Sequence, residues 1–461
     1  HDQALSLSGL TIADANSTFD TNGLGLNISG GFTNAGTFTA NSNTTTFNGS
    51  GAQAGTINAA TSFHDLVLNK SAGTLTLSGT NEVTVSNDLT LTSGTLEDGG
   101  RTITVTGNVT NSATHTSGTI GAGGISLSDA DHSLSGTGTY GNITLSGTTR
   151  TTTVGDAITI NGDLDFTGTV VLDIGSNALT FGSDATITGS SFGGTKMIRT
   201  AANNGVTKTF PASTLDFTFP IGINTDYTPV RTNLSTNTNT GTIEVRTFDE
   251  RHPLTNDAGD TELTRYWTLA TTGLSGAVAT LEFTYVDADV QGAESNYVTG
   301  TVVGADWSPA GGTGSTVTAG SNLISLTGTS TIAAEFTAGE TAEFSAVSTY
   351  FSRTTGDWET ASTWSTVSHD GVAASSPPNG HPVEIRSDHI VTVTSDNANA
   401  FSLVLGGTLT LGTTINHDFG TMTGTGTMSI SATTNNNFNF PASDISGYTG
   451  THEFTGSTNG N

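Results

Sequence analysis

The sequence contains no cysteine, so it has no disulfide framework, no zinc-thiolate site and no cysteine nucleophile. It is also poor in cations: 12 Lys and Arg stand against 40 Asp and Glu, a formal net charge of -28. A nucleic-acid binder needs basic residues to neutralise phosphates, and that function class is excluded on charge. Charged residues of either sign make up only 11%. That is well under the roughly 25% of an ordinary soluble domain, so Thr, Ser and Asn must cover the surface. No apolar run approaches the roughly 20 residues that span a bilayer, and residues 1–30 carry neither a basic n-region nor an apolar core. No membrane span is expected in this segment, and any signal peptide is expected to have been removed already.

What is present is glycine, 59 residues of it, and short alternating apolar runs. Leu66-Val67-Leu68, Leu75-Thr76-Leu77, Val83-Thr84-Val85, Leu89-Thr90-Leu91 and Ile103-Thr104-Val105 each read as a short strand. Turns such as Asp98-Gly99-Gly100 and Asn161-Gly162 separate such runs, and no stretch keeps a 3.6-residue period. The chain is therefore predicted to be all-β. Self-similarity decides which all-β class: Asp65 to Val109 aligns with Asn142 to Thr186, strand on strand and turn on turn. Within each copy a finer unit of roughly 20 residues recurs, a length that suits one coil of a β-helix. A coil cannot bury its apolar face alone. Stacked coils would bury Leu, Val, Ile and Phe in a column and leave Thr and Ser outward, with ladders of Asn and Thr satisfying one another along the stack.

Composition shifts near residue 205. Longer strands are expected at 242–248, 265–270, 279–286 and 296–303, and these fit a β-sandwich of immunoglobulin-like type better than coils. The expected organisation is β-solenoid over 1–204, sandwich over 205–343, and over 344–461 a segment with Trp358 and Trp364 followed by a restarted solenoid (402–430). Glu453 to Asn459 resembles the start of another unit like Thr45 to Gly51, so the array is expected to continue beyond the last residue.

Thr44 to Ala52 (TTTFNGSGA) with Phe63 to Asn69 (FHDLVLN) resembles the recurring unit of very large secreted surface proteins of Bacteroidetes-type bacteria. Phe219 to Gly222, Tyr227 to Val230, Leu263 to Leu269, Phe283 to Val290 and Tyr350 to Ser365 are similar to the same set, and Trp358 to Val393 resembles a G8-like module. The resemblance implies a mosaic of β-helix and sandwich exported to the cell surface, commonly by a type IX route.

Motifs for catalysis are weak. Gly189 to Gly193 fits G-x-S-x-G, and Gly136 to Gly141 fits G-x-G-x-x-G, but neither opens onto a helix. His369, His381 and His389 lie near Asp370, Glu384 and Asp388 without zinc-ligand spacing. Asp156, Asp163, Asp165 and Asp173 could share a face of neighbouring coils, as glycoside cleavage would require. Calcium is the more physical prospect, because hard oxygen ligands on loops suit it. The candidates are Asp257, Asp260 and Glu262 in one turn and Asp287 with Asp289 in another; the alternative is that both are solvated acidic turns. Trp267, Trp307, Trp358 and Trp364 either form a sugar-stacking platform or fill cores, and strands favour the second.

These readings lead to an expected non-enzymatic, extracellular structural protein, the rigid stalk or fibre of a bacterial cell-surface adhesin. Its expected partners are further copies of itself or neighbouring domains, with surface polysaccharide as a further candidate and nucleic acid excluded. The alternatives are a self-assembling filament or sheath subunit and a carbohydrate-binding or carbohydrate-cleaving β-helix.

Overall fold

The computed structural model describes residues 3–118, 122–201, 204–255, 261–304, 306–307, 314–344, 349–431 and 440–455. The protein is all-β, 53% strand with no α-helix among the described residues, and contains a β-solenoid of about 20 turns. The chain divides into two compact units, one of residues 1–250, 263–301 and 311–338, the other of residues 251–262, 302–310 and 339–461.

In the first unit each coil contributes strands to three parallel ladders. The third ladder shows the construction most plainly. Its inward residues stack in register as Thr61, Val83, Ile103, Ile125, Ile143, Leu164 and Ile187, and as Phe63, Val85, Val105, Leu127, Leu145 and Phe166. Between them the outward positions read Ser62, Thr84, Thr104, Ser126, Thr144, Asp165 and Thr188. The period of two puts every apolar residue inside, and Thr supplies strand propensity without exposing apolar area. The first ladder stacks Leu26, Thr45, Leu66, Leu89, Val109, Leu134 and Val154 in the same way.

The coils bend where glycine permits it. Asp65–Gly79 serves two ladders in one bent strand. Its corner Gly73 has φ +80°, and a Cβ there would lie 2.7 Å from the carbonyl carbon of Gly51 in the preceding coil. Only a residue without a side chain fits both conditions.

One strand joins the coils to the antiparallel sheets that follow. Val206–Phe210 pairs parallel with 179–181 on one side and antiparallel with Gly241–Phe248 on the other. The antiparallel sheet continues through Tyr266–Thr272 to 334–336. Facing it lies a second antiparallel sheet whose neighbours run Leu215–Phe219, Val230–Thr236, Val278–Thr284, Leu323–Thr329 and Ser315–Thr318. Trp267 and Phe283 meet between the sheets at 5.3 Å between ring centres, and Phe283 and Phe336 at 4.7 Å.

The second unit is again a parallel stack. One ladder pairs Tyr350–Ser352, Pro382–Ile385, Ser402–Leu405, Thr421–Gly424 and Asp444–Tyr448; the other pairs Gly356–Asp357, Ile390–Thr392, Thr408–Gly412, Thr427–Ser431 and Thr451–Thr455. Trp358 and Trp364 are core residues here: their rings meet edge to face at 5.1 Å, and Trp364 Nε1 donates to Trp358 O at 2.7 Å. All four tryptophans are buried, so none offers a face to a sugar.

Polar side chains inside the first stack satisfy both the backbone and one another: Asn34 Nδ2 donates to Thr61 Oγ1 at 2.9 Å, and other side chains close on main-chain groups. Asn111 Nδ2 donates to Thr139 O at 2.9 Å while its Oδ1 accepts from Ala113 N at 2.9 Å. Threonine and serine hydroxyls do pair between coils on the outside, as at Thr110 and Ser135, 3.0 Å apart. The expected ladders of Asn and Thr are met by separate pairs such as Asn34 with Thr61, while Asn111 closes a corner, where a buried carbonyl without a donor would be costly.

Candidate functional site

Two of the three histidines of the tryptophan-containing segment are brought together. His369 and His389 lie 6.3 Å apart between ring centres, whereas His381 packs on Tyr350 at 5.0 Å. The buried Ser352 Oγ sits 2.8 Å from His389 Nδ1, which resembles a nucleophile and its base. The hydrogen bonds run the other way. Arg386 Nη2 can only donate, and it lies 3.0 Å from His389 Nε2, so that nitrogen is the acceptor and Nδ1–H donates to Ser352. Burial, with the Arg386 charge adding to it, holds His389 below the ordinary histidine value and keeps it neutral. Ser352 Oγ also accepts from Arg386 N at 2.9 Å and is inaccessible. No base acts on this serine. Arg386 in turn is bracketed by Asp388 at 2.7 Å and Asp370 at 3.0 Å, and His369 Nε2 is 3.3 Å from Glu384 Oε1. The cluster ties 350–352, 365–371 and 382–389 together and presents charge outward from a closed interior.

A second Asp–His–Ser grouping, which sequence spacing did not mark, lies inside the first stack. Asp98 Oδ2 is 3.2 Å from His115 Nε2 and accepts from Ser117 Oγ at 2.6 Å, and the Asp98 and His115 side chains are fully buried. Gly141 N donates to His115 Nδ1 at 3.2 Å, so the ring carries its proton on Nε2, facing the carboxylate. Burial works to raise the Asp98 carboxyl, but the donors from His115, Ser117 and Gly100 hold it below the usual carboxylate range. The group closes a coil corner.

The glycine motifs are turns. Gly189 ends the strand Ile187–Gly189, and Phe192 packs on Phe166 at 5.4 Å instead of leading into a helix. Gly138 N donates to Asn111 O at 2.7 Å within the stack. Nor do the four aspartates converge. Asp165 is in the third ladder and accepts from Thr188 Oγ1 at 2.8 Å, whereas Asp173 is in the first ladder and pairs with Arg199 at 2.6 Å. Asp163 accepts from Thr186 and Asp156 from Gly136 N.

Of the calcium candidates, Asp257 and Asp260 lie outside the described residues. Asp287 accepts from Asn322 Nδ2 at 2.7 Å. Asp289 is buried and grips Arg265 with both oxygens, at 2.6 and 3.1 Å. The same guanidinium reaches Asp249 at 2.9 Å and Asp226 at 3.1 Å. Asp226, Asp249 and Asp289 are the one three-ligand grouping among the described residues, and Arg265 supplies the positive charge at its centre. Glu262 belongs to the second unit, where its buried carboxylate meets Arg251 Nε at 3.0 Å.

No protein-family model, no curated protein and no solved structure matches this chain. Its functional reading therefore rests on its own residues. What those residues share is closure: all three lysines are buried, Lys70 Nζ on Gly49 O and Gly51 O at 2.8 Å each, and Lys208 Nζ on Ser183 O at 2.9 Å and Ala185 O at 2.7 Å. Burial pushes the Lys208 ammonium down to about 8, with Asp184 opposing. No helix among the described residues is long and apolar enough to cross a membrane.

Proposed function

We propose that this chain is an extracellular structural protein whose stacked coils serve as a rigid stalk or fibre of a bacterial surface adhesin. The observation that carries the reading is the column of inward side chains that passes in register from coil to coil, with its buried polar groups spent on corners rather than gathered at an accessible site. Each buried Leu, Ile, Val or Phe contributes on the order of 1.5–3 kcal/mol relative to exposure. Repetition of that contribution at every coil suits a load-bearing element that has no disulfides. The two antiparallel sheets that continue the first stack are read as an immunoglobulin-like spacer. Resemblance to secreted surface proteins of Bacteroidetes-type bacteria supports placement outside the cell.

Labelling of intact producing cells with antibodies raised against residues 1–250 tests the reading. Surface signal is expected before permeabilisation, and signal confined to permeabilised cells would overturn it. The second reading is a self-assembling filament, favoured by the exposed Ile445 and Phe454 on the strands Asp444–Tyr448 and Thr451–Thr455. Such strands can take up a further strand through backbone pairing. Fibres of uniform width in the electron microscope would support this rival. Carbohydrate cleavage would instead release reducing ends from polysaccharides.

A further inference from the structure

One buried carboxylate oxygen in the second unit has no hydrogen-bond partner. Glu343, 1% exposed, lies in the short turn Thr341–Phe344. Its Oε1 accepts from Thr261 Oγ1 at 2.5 Å, while its Oε2 has no partner. The backbone holds this turn against Thr261 and Glu262: Glu340 N donates to Thr261 O at 2.9 Å, and Glu262 bridges to Gly339. Gly339 makes the approach possible, since a Cβ there would stand 2.5 Å from Glu262 Cβ. Glu262 is itself fully buried and accepts from Arg251 Nε at 3.0 Å and Thr255 Oγ1 at 3.1 Å. Burial raises the Glu262 carboxyl; Arg251 opposes this and the neighbouring Glu343 charge adds to it. Arg251 is drawn to Glu262, and among the described residues no cationic side chain pairs with the buried Glu343. A buried carboxylate of this kind is costly unless a cation meets it.

We propose that Glu343 and Glu262 form a binding site for a hard divalent cation of the Ca2+ class, with Glu343 Oε2 as its direct ligand. The groups on the two carboxyls are hydroxyl oxygens, Thr261 on Glu343 Oε1 and Thr255 on Glu262 Oε1, which with the carboxylates make an oxygen donor set suited to such an ion. The chain makes the site from segments about 80 residues apart, which is why the sequence marked Glu262 and not Glu343. The proposal does not rest on Asp257 or Asp260, and it stands or falls separately from the stalk reading.

The full chain, stripped with EDTA and exchanged into metal-free buffer, is titrated with CaCl2 by calorimetry and melted with and without the ion. The wild type is expected to show saturable uptake and a raised Tm. Glu343→Gln is expected to lose both, and Asp287→Asn to keep both. Tb3+ luminescence excited through Trp307, whose ring lies 4.7 Å from that of Phe344, locates the ion without touching a ligand, and Trp307→Phe should abolish that signal. The proposal is overturned if the wild type takes up no Ca2+, or if uptake survives Glu343→Gln. It is equally overturned if Ca2+ has no effect while Glu343→Gln alone raises Tm, because the carboxylate is then a cost that no cation relieves. Should Glu343→Gln fail to fold, Glu262→Gln and the Tb3+ signal of the wild type decide the matter.

Discussion

The lysines show how this protein uses the few cations it has. Lys70, Lys196 and Lys208 are all turned inward, and the ammonium groups of Lys70 and Lys208 donate to backbone carbonyls at coil corners. An amine-reactive ester should therefore leave all three unmodified in the native protein and label all three after unfolding in urea. Peptide mapping by mass spectrometry reads the result, and native labelling of Lys70 or Lys208 would contradict their burial. Lys208 also gives stability a pH dependence. Its folded value is about 8 against an ordinary 10.5, so between those values the unfolded chain binds more protons than the folded one. Stability contributed at this site must then rise as pH climbs from 8 to 10.5, because the penalty of burying the ammonium disappears. Urea unfolding of the wild type minus that of Lys208→Met, followed across that window, should slope upward; a flat difference would remove Lys208 as the cause.

At the scale of the element, the third ladder makes the energetics specific. Ile143 is buried in register with Ile125 below and Leu164 above, so Ile143→Ala opens a cavity between coils. The expected loss is about 2–5 kcal/mol, measured by urea unfolding. Thr144 points outward next to it, and Thr144→Lys should change stability by no more than about 0.5 kcal/mol. Equal effects at the two positions would contradict the inward–outward alternation. Gly79 has φ +106°, with Ile57 O only 2.3 Å from where a Cβ would be. Gly79→Ala is accordingly expected to cost more than about 1 kcal/mol, although it adds a single methyl.

Alternation of this kind was legible in the sequence, because a strand with one buried face repeats every two residues and the turns between strands are marked by glycine. The long strands after residue 240 were legible too: 242–248 and 279–286 were expected, and Gly241–Phe248 and Val278–Thr284 are found. The polar interior was not. Arg265 meets Asp249 and Asp226 from 16 and 39 residues away, and Asp98 meets His115 and Ser117 only because one coil lies on the next. Register between coils brings such groups together, and no local pattern encodes it. The apparent grouping of Asp163 and Asp165 with Asp173 failed for the same reason, since Asp163 and Asp165 stand at the third ladder and Asp173 in the first.

For the whole molecule, the acid excess and the two cores have separate consequences. A net charge of -28 with Thr and Ser on the outward positions means that copies repel over about one Debye length, roughly 8 Å at physiological salt, and offer little apolar area on contact. The cores concern unfolding. One hydrophobic cluster gathers the first stack with its antiparallel sheets, and a second gathers Trp358, Trp364, Leu403, Leu409 and Met428. Repeat stacks are stabilised by nearest-neighbour contacts, so damage to a coil is felt by the coils that share its column. Calorimetry of the full chain is therefore expected to resolve two transitions. Ile143→Ala should lower one of them, and Leu403→Ala, which empties a fully buried position between Val383 and Met422, should lower the other. Both variants shifting a single shared transition by similar amounts would mean that the two cores unfold as one cooperative body, and the division of the chain into separately stabilised units would have to be abandoned.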